Sequence, residues 1–258
     1  MQQKRLSLCV AVPMYNEESG ATRCVEEISK ALMALPYRTR LLVVDDGSVD
    51  RTYPTLEGLK TSCPILSVRR HERNGGYGHA MQTAFREAAA WGADYILVMD
   101  SDLTNDPRLI PTFVERMLSG YDVIKASRYV RGGRVEGVPF GRIIVSRVGN
   151  WLVRRLIGLP LLDYTNGFRA LRMDFVRRMR LTESGFAVIL EEMYFAKFVA
   201  ASFCEIPCVL TNRSKEQGES HFRYRPLVFI QYLKHPVKAF LGIRPRPLMP
   251  KGSECPTP

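Results

Sequence analysis

The sequence contains no run approaching the roughly 20 apolar residues of a membrane-spanning helix. No signal-peptide pattern opens it, because Lys4 and Arg5 lead straight into a strand-like segment. Its six cysteines show no Cys-x-x-Cys spacing and sit in core-like segments, as expected of reduced thiols in a cytosolic protein. Cys204 and Cys208 share one strand-like stretch and one face of it, but are not read as a zinc site. The turn Gly75-Gly-Tyr-Gly78 lacks the Gly-x-Gly-x-x-Gly spacing and follows the third strand-like segment, not the first, which argues against NAD. Internal repeats and clear linkers are missing too, so 258 residues read as one large domain with a membrane-facing appendage. Acids are the scarcer charge, 26 against 37 Lys and Arg, leaving a formal net charge of +11. Nucleic acid, an anionic membrane surface and phosphorylated substrates all fit that excess.

What the chain does contain is a regular alternation of strand-like and helix-like segments, the pattern of a right-handed parallel α/β sheet. Strands are expected at Leu6–Val12, Arg40–Asp46, Ile65–Arg70 and Asp122–Arg128. A helix capped by Asn16, with Glu17 and Glu18 in its first turn, is expected to run to Leu35. Further helices are expected at His79–Trp91 and Pro107–Ser119. Between those two lies a short apolar run from Tyr95, read as a buried strand, that ends in Asp100 and Asp102. At an extended strand end residues i and i+2 project to one side. Both carboxylates are then expected to face the crevice beyond the strand's carboxyl end, where open α/β sheets bind ligands. Two close carboxylates repel unless a cation sits between them, and Mg²⁺ or Mn²⁺ with phosphate oxygens is the natural occupant. The plain alternative is a solvated acidic turn with Asp106 as a helix cap.

After Arg128 the rhythm breaks. Tyr129 to Pro139 reads as a glycine-rich loop, Gly141 to Gly158 as a helix, and Asp163 to Arg172 as a turn leading into a short strand. A helix carrying Glu191 and Glu192 is expected over Gly185–Ala201, a strand over Phe203–Leu210, and a polar loop over Asn212–Phe222. The apolar segment from Pro226 to Leu241 is expected to break or restart at Pro236. The 141–158 and 226–243 segments mix aliphatic and aromatic residues with Lys, Arg or His, the composition of amphipathic helices that lie in a membrane interface; the plain alternative is a pair of core helices in a basic protein. The proline-rich stretch 244–258 reads as a disordered tail.

Four motifs stand in order: Pro13-Met-Tyr-Asn-Glu17, Asp45-Asp-Gly-Ser48, Asp100-Ser-Asp102 and Asn166-Gly-Phe-Arg169. Together they resemble the inverting family 2 nucleotide-sugar glycosyltransferases with a GT-A fold, the family that includes dolichyl-phosphate mannose synthase. Ser127-Arg-Tyr-Val-Arg-Gly-Gly133, and Arg213 with Gly218-Glu-Ser220, resemble its polyprenyl-phosphate branch. The resemblance spans residues 6 to 225 and implies one GT-A domain over 1–225, with a Rossmann-like, mostly parallel sheet flanked by helices. It implies that Pro13, Tyr15, Glu17, Asp45, Asp46 and Ser101 contact the donor nucleotide. Asp100 and Asp102 would hold Mg²⁺ or Mn²⁺ on the donor diphosphate, and Arg213 would close over it. Thr104 stands where the mannose synthases tend to have Gln; it would either reach the metal through its hydroxyl or a water, or leave the position to solvent, a departure that bears on metal preference and donor sugar. Arg128, Arg142 and Ser146 match the positions that bind the acceptor phosphate; Arg142 and Ser146, spaced i and i+4, share one helix face. Asp102, Arg128 and Arg213 would carry the catalytic work.

The activity so implied is inverting, metal-dependent transfer of a hexose to a polyprenyl (dolichyl) phosphate, with GDP-mannose the favoured donor and UDP-glucose or UDP-N-acetylglucosamine behind it. A phosphate monoester is already anionic near neutral pH, with a second pKa of about 6, so the acceptor needs no general base. An alcohol acceptor would need one; Glu191 and Glu192 are the candidates, with a helix-surface pair or contacts to the sugar the plainer reading. The expected location is the cytoplasmic face of a membrane, in peripheral contact or beside a small membrane subunit. Nucleic acid is not an expected partner, because paired acids close adjacent strands. Asp102→Ala is expected to abolish transfer to every acceptor. Arg142→Ala should raise the requirement for lipid phosphate and leave nucleotide-sugar binding nearly intact; equal loss of donor binding in both variants, read by titration, overturns the acceptor assignment.

Overall fold

The computed structural model describes residues 5–211 and 226–246. Seven strands form the central sheet: β1 (Ser7–Met14), β2 (Arg38–Asp45), β3 (Leu66–Arg70), β4 (Tyr95–Val98), β5 (Val123–Ser127), β7 (Arg169–Arg172) and β8 (Phe203–Pro207). Their spatial order is β3-β2-β1-β4-β7-β5-β8. All neighbours run parallel except β7, which lies antiparallel between β4 and β5. The central strands are near-continuous apolar runs because both faces are covered. One core joins the sheet to α1 (Ala21–Met33), α2 (Thr52–Leu59) and α4 (Ile110–Leu118). The other joins it to α3 (Tyr77–Trp91), α5 (Phe140–Ile157), the short α6 (Met173–Val176) and α7 (Val188–Val199). Alternation along β1 follows the two layers: Cys9 and Ala11 enter the α3 side, Leu8, Val10 and Val12 the α1 side. A last helix, α8 (Pro226–Phe240), packs on α5 and α7.

The expected mostly parallel sheet flanked by helices is what the chain forms. Several local expectations are corrected. Asn16 does not cap α1, which begins five residues later behind Gly20. Asn16 instead adopts a left-handed conformation (φ 53°), which asparagine tolerates, and its Oδ1 accepts from the Val49 amide (3.0 Å). The expected 203–210 strand is two: β8 ends at Pro207, and β9 (Val209–Leu210) pairs in a separate two-stranded sheet with β6 (Arg134–Val135). Cys208 falls between them, where its amide donates to the Ser127 carbonyl (3.0 Å), so Cys204 and Cys208 do not share a strand. The five cysteines among the described residues are free thiols. The helix α8 runs through Pro236 without breaking. Proline removes one helical hydrogen bond, but flanking anchors hold the helix: His235 Nε2 bonds Glu183 (2.8 Å), and Lys197 Nζ donates to the Ala239 carbonyl (2.8 Å).

Beneath the sheet's carboxyl end, Arg169 of β7 meets Glu192 of α7 in a bidentate ion pair, and both side chains are fully buried. Burial is the largest single influence on the guanidinium and opposes its charge; attraction to Glu192, with hydrogen bonds, exceeds it, and the Arg169 pKa is raised. Removing one partner strands the other charge. Arg169→Met should therefore destabilise the fold by about 3–5 kcal/mol, whereas Arg169→Met/Glu192→Leu recovers most of that loss. Urea unfolding of the two variants distinguishes these outcomes.

Candidate functional site

A cleft of about 680 Å³ opens at the carboxyl ends of β1, β2, β4 and β5. Pro13, Tyr15 and Glu17 reach it from the loop after β1, and Asp46 from the loop after β2. These two loops are tied together. The Asn16 amide donates to Ser48 Oγ (2.9 Å), the Glu17 amide to Thr52 Oγ1 (2.8 Å), and the Arg51 amide to the Glu18 carboxylate (2.9 Å). Of the paired acids at the end of β2, the structure puts Asp46 on the cleft wall. Asp45 is fully buried, accepts from the Ser48 amide (3.2 Å), and faces Arg70 Nε at 3.3 Å.

Asp46 also organises the glycine turn. Its carboxylate accepts from the amides of Gly75 (3.1 Å) and Gly76 (2.7 Å) and bonds His71 Nδ1 (2.6 Å). Asp46, His71 and His79 bring ligand-type atoms within 4.8 Å of one another. Both His71 nitrogens are engaged, however, Nδ1 by Asp46 and Nε2 by Thr83 Oγ1 (2.9 Å), so the cluster reads as structural. The turn needs glycine: a Cβ on Gly78 would overlap the Glu183 carbonyl.

The chain leaves β4 at Val98, and Asp100 and Asp102 lie in the turn that follows, not on an extended continuation of the strand. Leu103 takes a left-handed φ of 51° to close that turn. Both acids nevertheless line the cleft, with Ser101 between them. Asp102 is held from behind: its Oδ1 accepts from the amide (3.1 Å) and hydroxyl (2.8 Å) of Thr104. Thr104 thus touches the acid and does not itself line the cleft. Asp100 is backed by Gly167, where an added Cβ would stand 2.7 Å from Asp100 Oδ2. That contact gives the Asn166-Gly-Phe-Arg169 motif a steric reason for its glycine.

The basic side of the cleft is Arg128, just past β5. Its Nε and Nη2 donate to the two oxygens of Asp163 (2.6 and 2.7 Å), and Nη2 also donates to Thr165 Oγ1 (2.9 Å). Burial again opposes the charge, but Asp163 outweighs it and the Arg128 pKa is raised. On Asp163 burial pushes up and Arg128 pulls down more strongly, so this acid stays ionised. Ser146 lines the cleft from α5, with its Oγ joined to the Tyr129 hydroxyl (2.7 Å). Arg142, one turn earlier, is exposed and does not line the cleft. Arg213 lies outside the described residues.

Glu191 and Glu192 are turned away from the cleft. Glu191 accepts from the amides of Thr182 and Glu183 and from the Thr182 hydroxyl; Glu192 is locked to Arg169. Both are buried, so they are not the surface pair that was the plainer expectation, and neither has access to a ligand as a base or a sugar contact. The sequence reading also missed residues that build the site: Asp163 as the holder of Arg128, and Asn150, whose Oδ1 accepts from the Tyr164 amide (2.7 Å) and whose Nδ2 donates to Thr165 Oγ1 (3.0 Å). A polar Asn on an otherwise apolar and basic helix was the available signal for the second.

The same cleft has an apolar wall from α5 and α8, made by Val145, Leu152, Tyr232 and Leu233. Outside it α5 leaves Phe140, Val148 and Trp151 exposed, and α8 leaves Ile230 and Phe240 exposed.

Comparison with solved structures identifies this architecture. Glucosyl-3-phosphoglycerate synthase from Mycobacterium tuberculosis superposes with a TM-score of 0.63 at 20% identity, over 94% of this chain and 82% of that one. Complexes of that enzyme contain UDP with Mn²⁺ or Mg²⁺. The fold is GT-A. Residues 9–180 match the profile of glycosyl transferase family 2, and the chain belongs to that family. Dolichol-phosphate mannosyltransferase of Pyrococcus furiosus is 33% identical over 234 residues, 89% of this chain; the chain spans 62% of that relative's length. Polyprenol monophosphomannose synthase of Mycolicibacterium smegmatis is 28% identical over 208 residues, 79% of this chain and 77% of that protein.

Gly167→Ala should displace the Asp100 carboxylate and lower divalent-cation affinity at the acid pair by about 10–100-fold. Mn²⁺ titration read by water-proton relaxation measures this, alongside an unchanged far-UV spectrum; full Mn²⁺ affinity in a folded variant would separate Gly167 from the acid pair.

Proposed function

We propose that this chain transfers a hexose, mannose from GDP-mannose in the first instance, from a nucleoside diphosphate sugar to a polyprenyl phosphate, with inversion at the anomeric carbon. The observation that carries this reading is Arg128: a cleft-lining guanidinium fixed by a buried carboxylate, sharing one cavity with Asp100 and Asp102 and with an apolar wall. Arginine forks suit phosphate oxygens. Acids, an oriented cation and aliphatic side chains in one cleft match a donor diphosphate with its metal, an acceptor phosphate, and the first isoprene units of its lipid. The two relatives named above, for mannosyl transfer to dolichol phosphate and polyprenol monophosphate, support the same substrate class.

Asp100 and Asp102 form a hard oxygen donor set that fits Mg²⁺ or Mn²⁺. When bound there, such an ion neutralises charge developing on the leaving diphosphate. Pro13, Tyr15, Glu17 and Asp46 would bind the nucleotide, and Arg213 would add a second positive charge. Arg128, with Ser146, would hold the acceptor phosphate so that one of its anionic oxygens attacks the anomeric carbon, and Arg142, outside the cleft one turn before Ser146, would meet the phosphate on its way in. The bond from that carbon to the diphosphate oxygen breaks with its electron pair, and the nucleoside diphosphate leaves. No residue has to remove a proton, in keeping with Glu191 and Glu192 facing elsewhere.

No helix among the described residues is long and apolar enough to cross a membrane. The exposed apolar side chains of α5 and α8, beside Arg142, Arg147, Arg154 and Arg155, would instead rest in the interface of a cytoplasmic leaflet, with or without a small membrane subunit.

Purified protein with Mg²⁺ or Mn²⁺ and a short polyprenyl phosphate should move label from GDP-[¹⁴C]mannose into the organic phase, with UDP-glucose and UDP-N-acetylglucosamine as parallel arms. Label from a UDP donor alone would change the sugar; slow donor hydrolysis with no lipid product would remove the lipid acceptor. Val148→Glu/Trp151→Glu should weaken cosedimentation with phosphatidylglycerol vesicles and raise KM for the lipid acceptor, leaving KM for the donor unchanged.

A further inference from the structure

Three charged side chains stand in a row across adjacent strands. Lys125 of β5 is directly opposite Arg169 of β7 on one side and Glu205 of β8 on the other. Residues opposite one another in a sheet share a face, and this face looks onto the segment 162–167. Each of the three grips a different part of that segment's backbone. Glu205 accepts from the amides of Leu162 (2.8 Å) and Asp163 (2.9 Å). Lys125 Nζ donates to the carbonyls of Tyr164 (3.1 Å) and Asn166 (2.9 Å). Arg169 Nη1 donates to the carbonyl of Gly167 (2.6 Å).

The segment so held carries the side chains that set the cleft. Asp163 and Thr165 aim Arg128, and Gly167 abuts Asp100. Lys125 binds the two carbonyls that flank Thr165, so it is the member of the row nearest in sequence to the Arg128 support. It is fully buried and does not itself line the cleft. A lysine buried without an ion-pair partner of its own is expensive, and an aliphatic residue would fill β5 more cheaply. We propose that Lys125 is a positioning residue for transfer: it fixes the 163–166 backbone so that Arg128 presents its charge to the acceptor phosphate.

The charged groups facing Lys125 are Arg169 from β7, Arg128 beyond β5, Asp163 from the clamped segment, Glu192 from α7 and Glu205 from β8. Arg169 is matched by Glu192 and Arg128 by Asp163. Burial, and then repulsion from Arg169, lower the Lys125 pKa to about 7. Its folded-state pKa lies below its unfolded value, so the ammonium is present at acid pH and lost as pH rises through neutrality. An anionic phosphate in the cleft favours the charged form and should raise that pKa.

The inference rests on the acceptor assignment made above, and the tests separate the two. Lys125→Met should raise KM for a short polyprenyl phosphate by about tenfold and change KM for the sugar donor by less than about twofold. Wild-type activity should fall as pH rises above about 7; Lys125→Met should lack that limb, and Lys125→Arg should restore acceptor KM without it. A merely structural lysine would lower the melting temperature and leave both KM values and the pH limb as they are, which would overturn the proposal. The wild-type protein gives a readout independent of folding and of turnover: a ¹³Cε-lysine NMR titration. One lysine titrating near pH 7, and moving upward on addition of citronellyl phosphate, is the expected result. If every lysine titrates above about pH 9 and citronellyl phosphate shifts none of them, the proposal fails. If a lysine titrates near neutrality but no donor gives lipid product and citronellyl phosphate leaves that titration unchanged, the acceptor reading and its positioning residue fall together. If the shift occurs without transfer, Lys125 stands and only the donor chemistry is wrong.

Discussion

The site depends on a bidentate contact between a buried carboxylate and a guanidinium at the cleft, Asp163 with Arg128. An arginine on a loop has many rotamers, and ordering it carries an entropic cost. Here the fork is matched on both oxygens, and Asp163 is kept ionised by the partner it holds. The charge offered to a ligand is thus set before the ligand arrives. Preorganisation of this kind is the main source of electrostatic stabilisation in active sites.

Asp163 can do this only because its own backbone is immobile, and the reversed strand β7 explains why. A chain returning antiparallel between β4 and β5 enters the sheet from the ligand end. Its lead-in segment therefore borders the cleft, which Thr165 and Gly167 line, and its backbone groups must find partners there. They find them in Glu205, Lys125 and Arg169, and in Asn150 of α5. Polar side chains on neighbouring strands stand where an ordinary doubly wound sheet would carry aliphatic ones. The core has given up apolar contact there to hold a loop.

The architecture was largely legible in the sequence because the first 128 residues alternate in a way only a layered α/β sheet satisfies. The acid pair by itself reads as readily as an acidic turn, with Asp106 capping the helix that follows; only the other motifs in order pointed to a cleft there, and both acids do line one. Their geometry was not legible: the acids sit in a turn closed by Leu103 at positive φ, which no pattern of hydrophobicity reports. The cap assigned to Asn16 failed because an Asn side chain can satisfy a distant amide as readily as a helix end, and Val49 is remote in sequence. Glu191 and Glu192 read most simply as a helix-surface pair because helical spacing cannot reveal that one is bound to the 182–183 backbone and the other paired with Arg169. Lys125 looked like any charge within a strand; its meaning depends on the register that sets it between Arg169 and Glu205.

The helix α8 supplies Tyr232 and Leu233 to the cleft and is docked through His235 and Lys234 on Glu183, beside the glycine turn. It is also the last helix the ribosome makes among those described. The sheet is complete only once β8 has been made, so the apolar flank of the cleft closes in the last stretch of the described chain, when α8 arrives. The exposed face of α8 appears in the same step. The acid pair is therefore made long before the flank that encloses it, and a chain ending short of α8 would carry the one without the other.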